Sequence, residues 1–132
     1  MIVIDSSAVV ATLMPEADEE RYVISMRMAN ARVMSAANYL ECAIVMTRIA
    51  GSREAVDHWL DRFDVDVVPV DLALARLAAD AFARYGRGRH AARLNYGDCF
   101  AYALAAARDV PLLYKGSDFA MTDIQSALAP PA

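Results

Sequence analysis

The chain has 132 residues and a mass of 14.4 kDa, enough for one domain with its own core and too little for two. At 58% hydrophobic residues and a mean hydropathy of +0.25, it is not an intrinsically disordered sequence. Seventeen acids against thirteen bases give a net charge of -4, which argues against a broad, non-specific polyanion binder.

Ile2-Val3-Ile4 is an apolar run of the kind that forms a buried parallel strand. Ser6 and Ser7 can cap a helix over about 7–13, and Pro15 breaks it. Acids crowd the start of the next helix, about 16–29, where they suit the macrodipole. Arg32-Val33-Met34 predicts a second strand, Ser35 a cap, and 36–49 an apolar helix stopped at Gly51. A helix over about 53–63 carries Val56, Trp59, Leu60 and Phe63 on one face. The β-branched stretch 65–70 gives a third strand, and Asp71 caps a helix carrying Leu74, Leu77, Ala78 and Ala81.

Residues 84–97 hold three of the five glycines and read as a loop. A helix over 98–108, a strand over 111–114, a Gly116-Ser117-Asp118 turn and a short segment from Ile124 complete the pattern. The tail from about residue 126 is expected to fray. Alternating strands and helices predict a single α/β domain spanning 1–132, a three-layer α/β/α sandwich around a central parallel sheet.

No stretch is apolar enough to span a membrane, and the N-terminus lacks the basic region of a signal peptide. Cys42 and Cys99 form no CxxC pair, which fits reduced thiols in a cytoplasmic protein. Both are expected to pack in the core.

In an open α/β sheet, ligands bind beyond the carboxyl ends of the strands. Asp5 directly follows the first strand, and Asp118 shortly follows the last. Glu41 and Asp98 lie in the first turns of two helices that can face the same edge. Four convergent carboxylates repel and raise one another's pKa. A hard dication relieves that repulsion, and oxygen-only ligands select Mg²⁺ or Mn²⁺ over zinc. Such ions orient a water, lower its pKa and stabilise charge on a cleaved phosphodiester. Each acid also has a plain structural use: Asp5 as a helix cap, Glu41 and Asp98 in capping boxes with Asn38 and Asn95, and Asp118 as a turn residue. His58 and His90 have no partner at zinc-ligand spacing, and no GxSxG elbow or phosphate-loop pattern is present.

Taken together, Met-Ile-Val-Ile-Asp5-Ser-Ser-Ala, Ser-Ala-Ala-Asn-Tyr-Leu-Glu41, Leu-Asn-Tyr-Gly-Asp98-Cys-Phe-Ala and Leu-Leu-Tyr-Lys-Gly-Ser-Asp118-Phe resemble the PIN-domain ribonucleases, specifically the VapC toxins of type II toxin–antitoxin pairs. The resemblance runs from Met1 to about Ile124, and the third segment is its most specific part. It implies an Mg²⁺-dependent endoribonuclease, with Mn²⁺ able to substitute. Asp5 and Asp98 match the acids that most directly hold the metal, with Glu41 and Asp118 as the third and fourth. Ser7 matches a small polar position of the first motif, and Asp123 is a second acid in the last segment. The resemblance also implies a homodimer, a cognate VapB-type antitoxin, a higher-order toxin–antitoxin complex, and a transfer or ribosomal RNA target. Tyr22, Val23, Met26, Met28, Leu40, Ile44 and Val45 are candidates either for an antitoxin groove or for the core.

RNA contact needs positive charge. Arg84, Arg87, Arg89 and Arg93 precede Asp98, and Lys115 precedes the last acidic segment, so these five are the candidate RNA-binding residues. Two other readings stay open: a non-catalytic binding or scaffold module on the same fold, and a phosphatase or DNA nuclease using the same metals.

Overall fold

The computed structural model describes residues 1–14 and 17–130. Strand β1 (Ile2–Ile4) lies inside a four-stranded parallel sheet of order β3-β2-β1-β4, with β2 at Arg32–Ser35, β3 at Val65–Val68 and β4 at Leu112–Leu113. The strand alternation sorts the core into two layers. Val3, Val33 and Leu112 pack with α5 (Leu72–Tyr85) and α6 (Tyr96–Arg108) on one face. Ile2, Ile4, Met34 and Leu113 pack on the other with α1 (Ser6–Leu13), α2 (Glu19–Met28), α3 (Ala36–Ala50) and α4 (Glu54–Phe63). The expected three-layer sandwich is therefore present.

Polar groups at the ends of the elements are met locally. Ser35 caps α3, which stops at Gly51, whose φ of 85° is the left-handed turn that glycine tolerates. Trp59 is buried, and its indole N–H donates to Thr12 Oγ1 at 2.7 Å, so the largest side chain of α4 enters the core without an orphan donor. Asn95 and Asp98 form a reciprocal capping box that starts α6.

Three expectations need correction. The loop predicted over 84–97 is shorter, because α5 runs on to Tyr85 and the Asn95 cap starts α6 at Tyr96. Strand β3 ends at Val68, before Pro69, which has no N–H to continue a ladder. The chain from Gln125 to Ala129 is fastened rather than frayed. Leu112 N–H donates to the Gln125 carbonyl, Ala127 N–H donates to the Leu112 carbonyl, and the Arg21 guanidinium and Ser25 hydroxyl bind the backbone of Ala129. Pro15, Glu16 and Pro131, where a helix break, a helix start and part of the tail were expected, lie outside the described residues. Among those described, no helix is long and apolar enough to cross a membrane.

Candidate active site

The carboxyl edge of the sheet opens into a pocket of about 440 Å³ whose lining includes Asp5, Ser7, Glu41, Asn95, Asp98 and Lys115. Its position follows from the topology. Asp5 leaves β1 beside β4, with its N–H donating to the Leu113 carbonyl at 2.9 Å. Glu41 comes from α3, which springs from the end of β2, and Asp98 from the first turn of α6. Three of the four predicted acids therefore share one cavity. Asp118 is exposed at the start of a single 3-10 turn (Phe119–Met121), and its charge reaches Asp98.

Asp5 is 3% exposed. Its Oδ2 accepts from the Ser7 N–H at 3.0 Å and from the Ser7 hydroxyl at 2.5 Å. Among the described residues, Oδ1 is the buried side-chain oxygen with no hydrogen-bond partner. Burial pushes the Asp5 carboxyl up to about 7, with the Asp98 and Glu41 charges adding to the rise and the two Ser7 hydrogen bonds opposing it. Ser7 Oγ also accepts from the Lys115 backbone N–H at 3.0 Å, which ties the strand-end acid to the segment after β4. The Asp98 carboxyl is pushed up to about 6, first by burial and then by Asp118 and Glu41, against the bond from the Asn95 N–H.

Glu41 is held by residues that the motif did not single out. Its Oε1 accepts from Asn38 Nδ2 at 2.7 Å and from the Ser6 hydroxyl at 3.2 Å. Asn38 is fully buried and also donates to the Gly97 carbonyl at 3.0 Å, linking α3 to α6. Gly97 lies so close to the Glu41 carboxylate that a Cβ there would overlap it. The expected Asn38–Glu41 capping box is replaced: Ser35 is the cap and Asn38 sits three residues inside it, with its amide turned to the site. Asn38 and Gly97 both fall within the Asn-Tyr-x-acid-Cys echo of residues 38–42 and 95–99, the one sequence signal that could have pointed to them.

The remaining candidates are distributed more widely. Asp123 is engaged by the Tyr102 hydroxyl at 2.5 Å and by Arg84 at 3.4 Å, one helical turn along α6 from Asp98. Lys115 Nζ pairs with Asp18 at 3.0 Å. Arg84 also stacks over the Tyr85 ring. Arg87, Arg89 and Arg93 stand exposed on the loop before α6. Of the groove-or-core set, Tyr22 and Met26 are core, whereas Met28, Leu40 and Ile44 are exposed and Val45 lines the pocket. Both cysteines are buried thiols, with burial pushing Cys42 up to about 12 and Cys99 up to about 11, so neither supplies a thiolate at neutral pH.

The donor set is suited to a hydrated hard cation rather than to a closed cage. Among the described residues, no three Asp, Glu, His or Cys side chains form a ready-made metal cluster. Mg²⁺ keeps several waters and is commonly held by one or two carboxylates, and the orphaned Asp5 oxygen with two further carboxylates in the same pocket meets that requirement.

The PIN domain family profile matches residues 2–125. Ribonuclease VapC30 of Mycobacterium tuberculosis is 48% identical over 132 residues, covering 98% of this chain and 100% of the relative. Ribonuclease VapC of Mycolicibacterium smegmatis is 49% identical over 126 residues, covering 93% of this chain and 97% of the relative. The chain belongs to the VapC ribonucleases of the PIN-domain family. The crystal structure of Mycobacterium tuberculosis VapC20, a Sarcin-Ricin loop cleaving toxin, shares the PIN fold with a TM-score of 0.78 at 18% identity, covering 98% of this chain and 100% of that one. The cavity holding Asp5, Glu41 and Asp98 thus lies at the carboxyl edge of a PIN-domain sheet.

Proposed function

We propose that this chain is the toxin of a type II toxin–antitoxin pair and an Mg²⁺-dependent endoribonuclease, with Mn²⁺ able to substitute. The observation that carries this reading is the buried Asp5 carboxylate, with one oxygen unpartnered, in a cavity shared with Glu41 and Asp98. A bound Mg²⁺ would supply a water of lowered pKa and a counter-charge for the phosphate. Asp5 and Asp98 would hold it, Glu41 would orient the water from the α3 side, and Asp118 would add negative potential at the mouth. Ser7 holds the Asp5 carboxylate through Oδ2, and Oδ1, which has no hydrogen-bond partner, is the oxygen that would bind the ion.

The proposed substrate is transfer or ribosomal RNA, with Arg87, Arg89 and Arg93 contacting its phosphates. Arg84 and Lys115 would contribute by exchanging their present acidic partners, Asp123 and Asp18, for phosphate. The proposed partners are a second copy of the chain and a VapB-type antitoxin, joined in a larger complex. The exposed Leu40 and Ile44 of α3, one turn apart next to pocket residues Glu41 and Val45, offer apolar anchors for an antitoxin segment. A cytoplasmic location accords with these partners and with two reduced thiols.

The deciding experiment incubates purified, antitoxin-free protein with RNA and with DNA, in Mg²⁺ and in EDTA. RNA cleavage that requires Mg²⁺ and is abolished by Asp98→Asn is the expected result. A non-catalytic module, in which Asp5 would serve only as the cap of α1 and Asp98 only in the capping box of α6, would cut neither polymer. A DNA nuclease would prefer DNA.

A further inference from the structure

Tyr96 is the most exposed aromatic side chain among the large hydrophobics on the described surface, at 80%. The first turn of α6 is closed by the Asn95–Asp98 capping box, which makes no use of the Tyr96 side chain. Its ring stands edge-on to Phe100 at 5.1 Å. Beside it, between α5 and α6, lies an apolar hollow of about 330 Å³ lined by Ala75, Ala79, Phe82, Tyr96 and Phe100. The Phe82 ring lies against the backbone of Gly86, where any Cβ would strike it, so the hollow's wall is fixed to the first residue of the arginine loop.

The residues of this helical turn divide between two cavities. Asn95 and Asp98 line the acidic pocket, whereas Tyr96 and Cys99 line the apolar hollow. Tyr96 and Asp98 are two residues apart and leave α6 in different directions, so the aromatic face lies across the start of the helix from a phosphate held at Asp98. Arg87, Arg89 and Arg93 lie on the loop that leads into that turn, where charge complements a polyanion rather than an apolar protein surface. Unpaired bases are commonly held by exposed aromatic rings beside such a basic track.

We infer that Tyr96 and the hollow beside it form a stacking platform for one unpaired base of the RNA, adjacent to the phosphate that is cut. The inference rests on the ribonuclease reading above. It adds a requirement that the nucleotide next to the cleavage site be unstacked, which favours loops and single-stranded segments over duplex.

The test measures binding of a labelled single-stranded oligoribonucleotide to the full chain in EDTA, where no cleavage intervenes, and then Mg²⁺-dependent cleavage of the same RNA. Tyr96→Ala is expected to weaken binding about tenfold, and Tyr96→Phe to remain within about twofold of the parent, because stacking needs the ring and not the hydroxyl. Placing an abasic nucleotide at successive positions should reveal one position at which parent and Tyr96→Ala bind alike. In cleavage, the loss should fall mainly on KM. Equal RNA binding by parent and Tyr96→Ala overturns the inference, as does a change in oligomeric state without a change in RNA affinity, which would make the hollow a protein interface. A parent that binds and cuts no RNA overturns the ribonuclease reading itself, so the two failures are distinguishable.

Discussion

The side-chain amide of Asn38 donates to Glu41 at 2.7 Å while its second N–H reaches the Gly97 carbonyl at 3.0 Å. One buried side chain thus sets an acid on α3 against the helix that carries Asp98. Removing it leaves the Gly97 carbonyl without this donor and lets the Glu41 carboxylate swing. Asn38→Ala is expected to destabilise the fold by about 2 kcal/mol, the cost of stranding a buried polar group. Mg²⁺ affinity should fall about 10- to 100-fold, as when a group that orients a ligand is lost. Denaturant titration and Mg²⁺ calorimetry measure the two effects separately. A variant that loses stability but keeps its Mg²⁺ affinity would leave Asn38 as a core residue only.

Gly97→Ala separates site geometry from folding more cleanly. The added methyl falls on the Glu41 carboxylate, whereas alanine inside a helix is favoured over glycine by roughly 0.5–1 kcal/mol. That gain offsets part of the cost of breaking the Asn38–Glu41 bond, so stability should fall by no more than about 1 kcal/mol while RNA cleavage falls by about tenfold or more, the scale of displacing a positioned group. Thermal melts beside a cleavage time course decide it. Normal cleavage would mean that Glu41 is free to move without consequence.

Asp5 makes the pH dependence of stability run opposite to the usual case of a salt-bridged carboxylate. Its carboxyl titrates near 7 in the fold against an ordinary value of 3.8. The folded chain therefore holds this proton more tightly, and the resulting stabilisation is complete below the unfolded value and lost as pH rises through the folded one. The rise at Asp98 acts in the same direction. In EDTA, the parent should melt lower at about pH 8 than at about pH 5, and Asp5→Asn, which can still cap α1, should melt about 5 °C or more above it at the higher pH. Added Mg²⁺ should raise the parent's melting temperature and leave that of the variant nearly unchanged. Parallel melting curves across this pH range would show that Asp5 does not titrate in the fold.

What could be read from the sequence followed local chemistry. The all-apolar Ile2–Ile4 run and Ser35 before an apolar helix each specify their element within a few residues, so the sheet and the start of α3 emerge correctly, whereas the helix read over 98–108 begins at Tyr96, behind the Asn95 cap. Asp5 and Asp98 enter the shared cavity because they adjoin a strand end and a helix start, whereas Glu41, expected in a first turn, reaches it from the second turn of α3 because Ser35 caps that helix. The features that escaped depend on distant contacts. Asn38 acquires its bond to Gly97 across 59 positions. The 125–129 segment is pinned by Leu112, Arg21 and Ser25. Asp123 faces the Tyr102 hydroxyl, not the acidic pocket's lining, and no spacing rule distinguishes it from Asp118.

RNA contact through the exposed arginine loop would reconcile an acidic chain with the polyanionic substrate proposed for it. Arg87 and Arg89 are exposed on a loop whose backbone is pinned, with Arg87 N–H donating to the Leu94 carbonyl and Leu94 N–H to the Tyr85 carbonyl. Neither side chain belongs to a core cluster, and the one bond lost, from Arg89 Nε to the Ala83 carbonyl, is exposed, so reversing both to Glu should leave the melting temperature close to that of the parent. Each phosphate contact on a single strand contributes about 0.7 to the slope of log affinity against log salt, so losing two should flatten that slope by about 1.4. RNA binding at low salt should weaken substantially, and the difference from the parent should shrink as salt rises. Titrations of Arg87→Glu/Arg89→Glu over a range of salt concentrations read both quantities. A variant with the parent's slope would remove these arginines from the RNA path, and would also separate the basic loop from the Tyr96 platform it leads into.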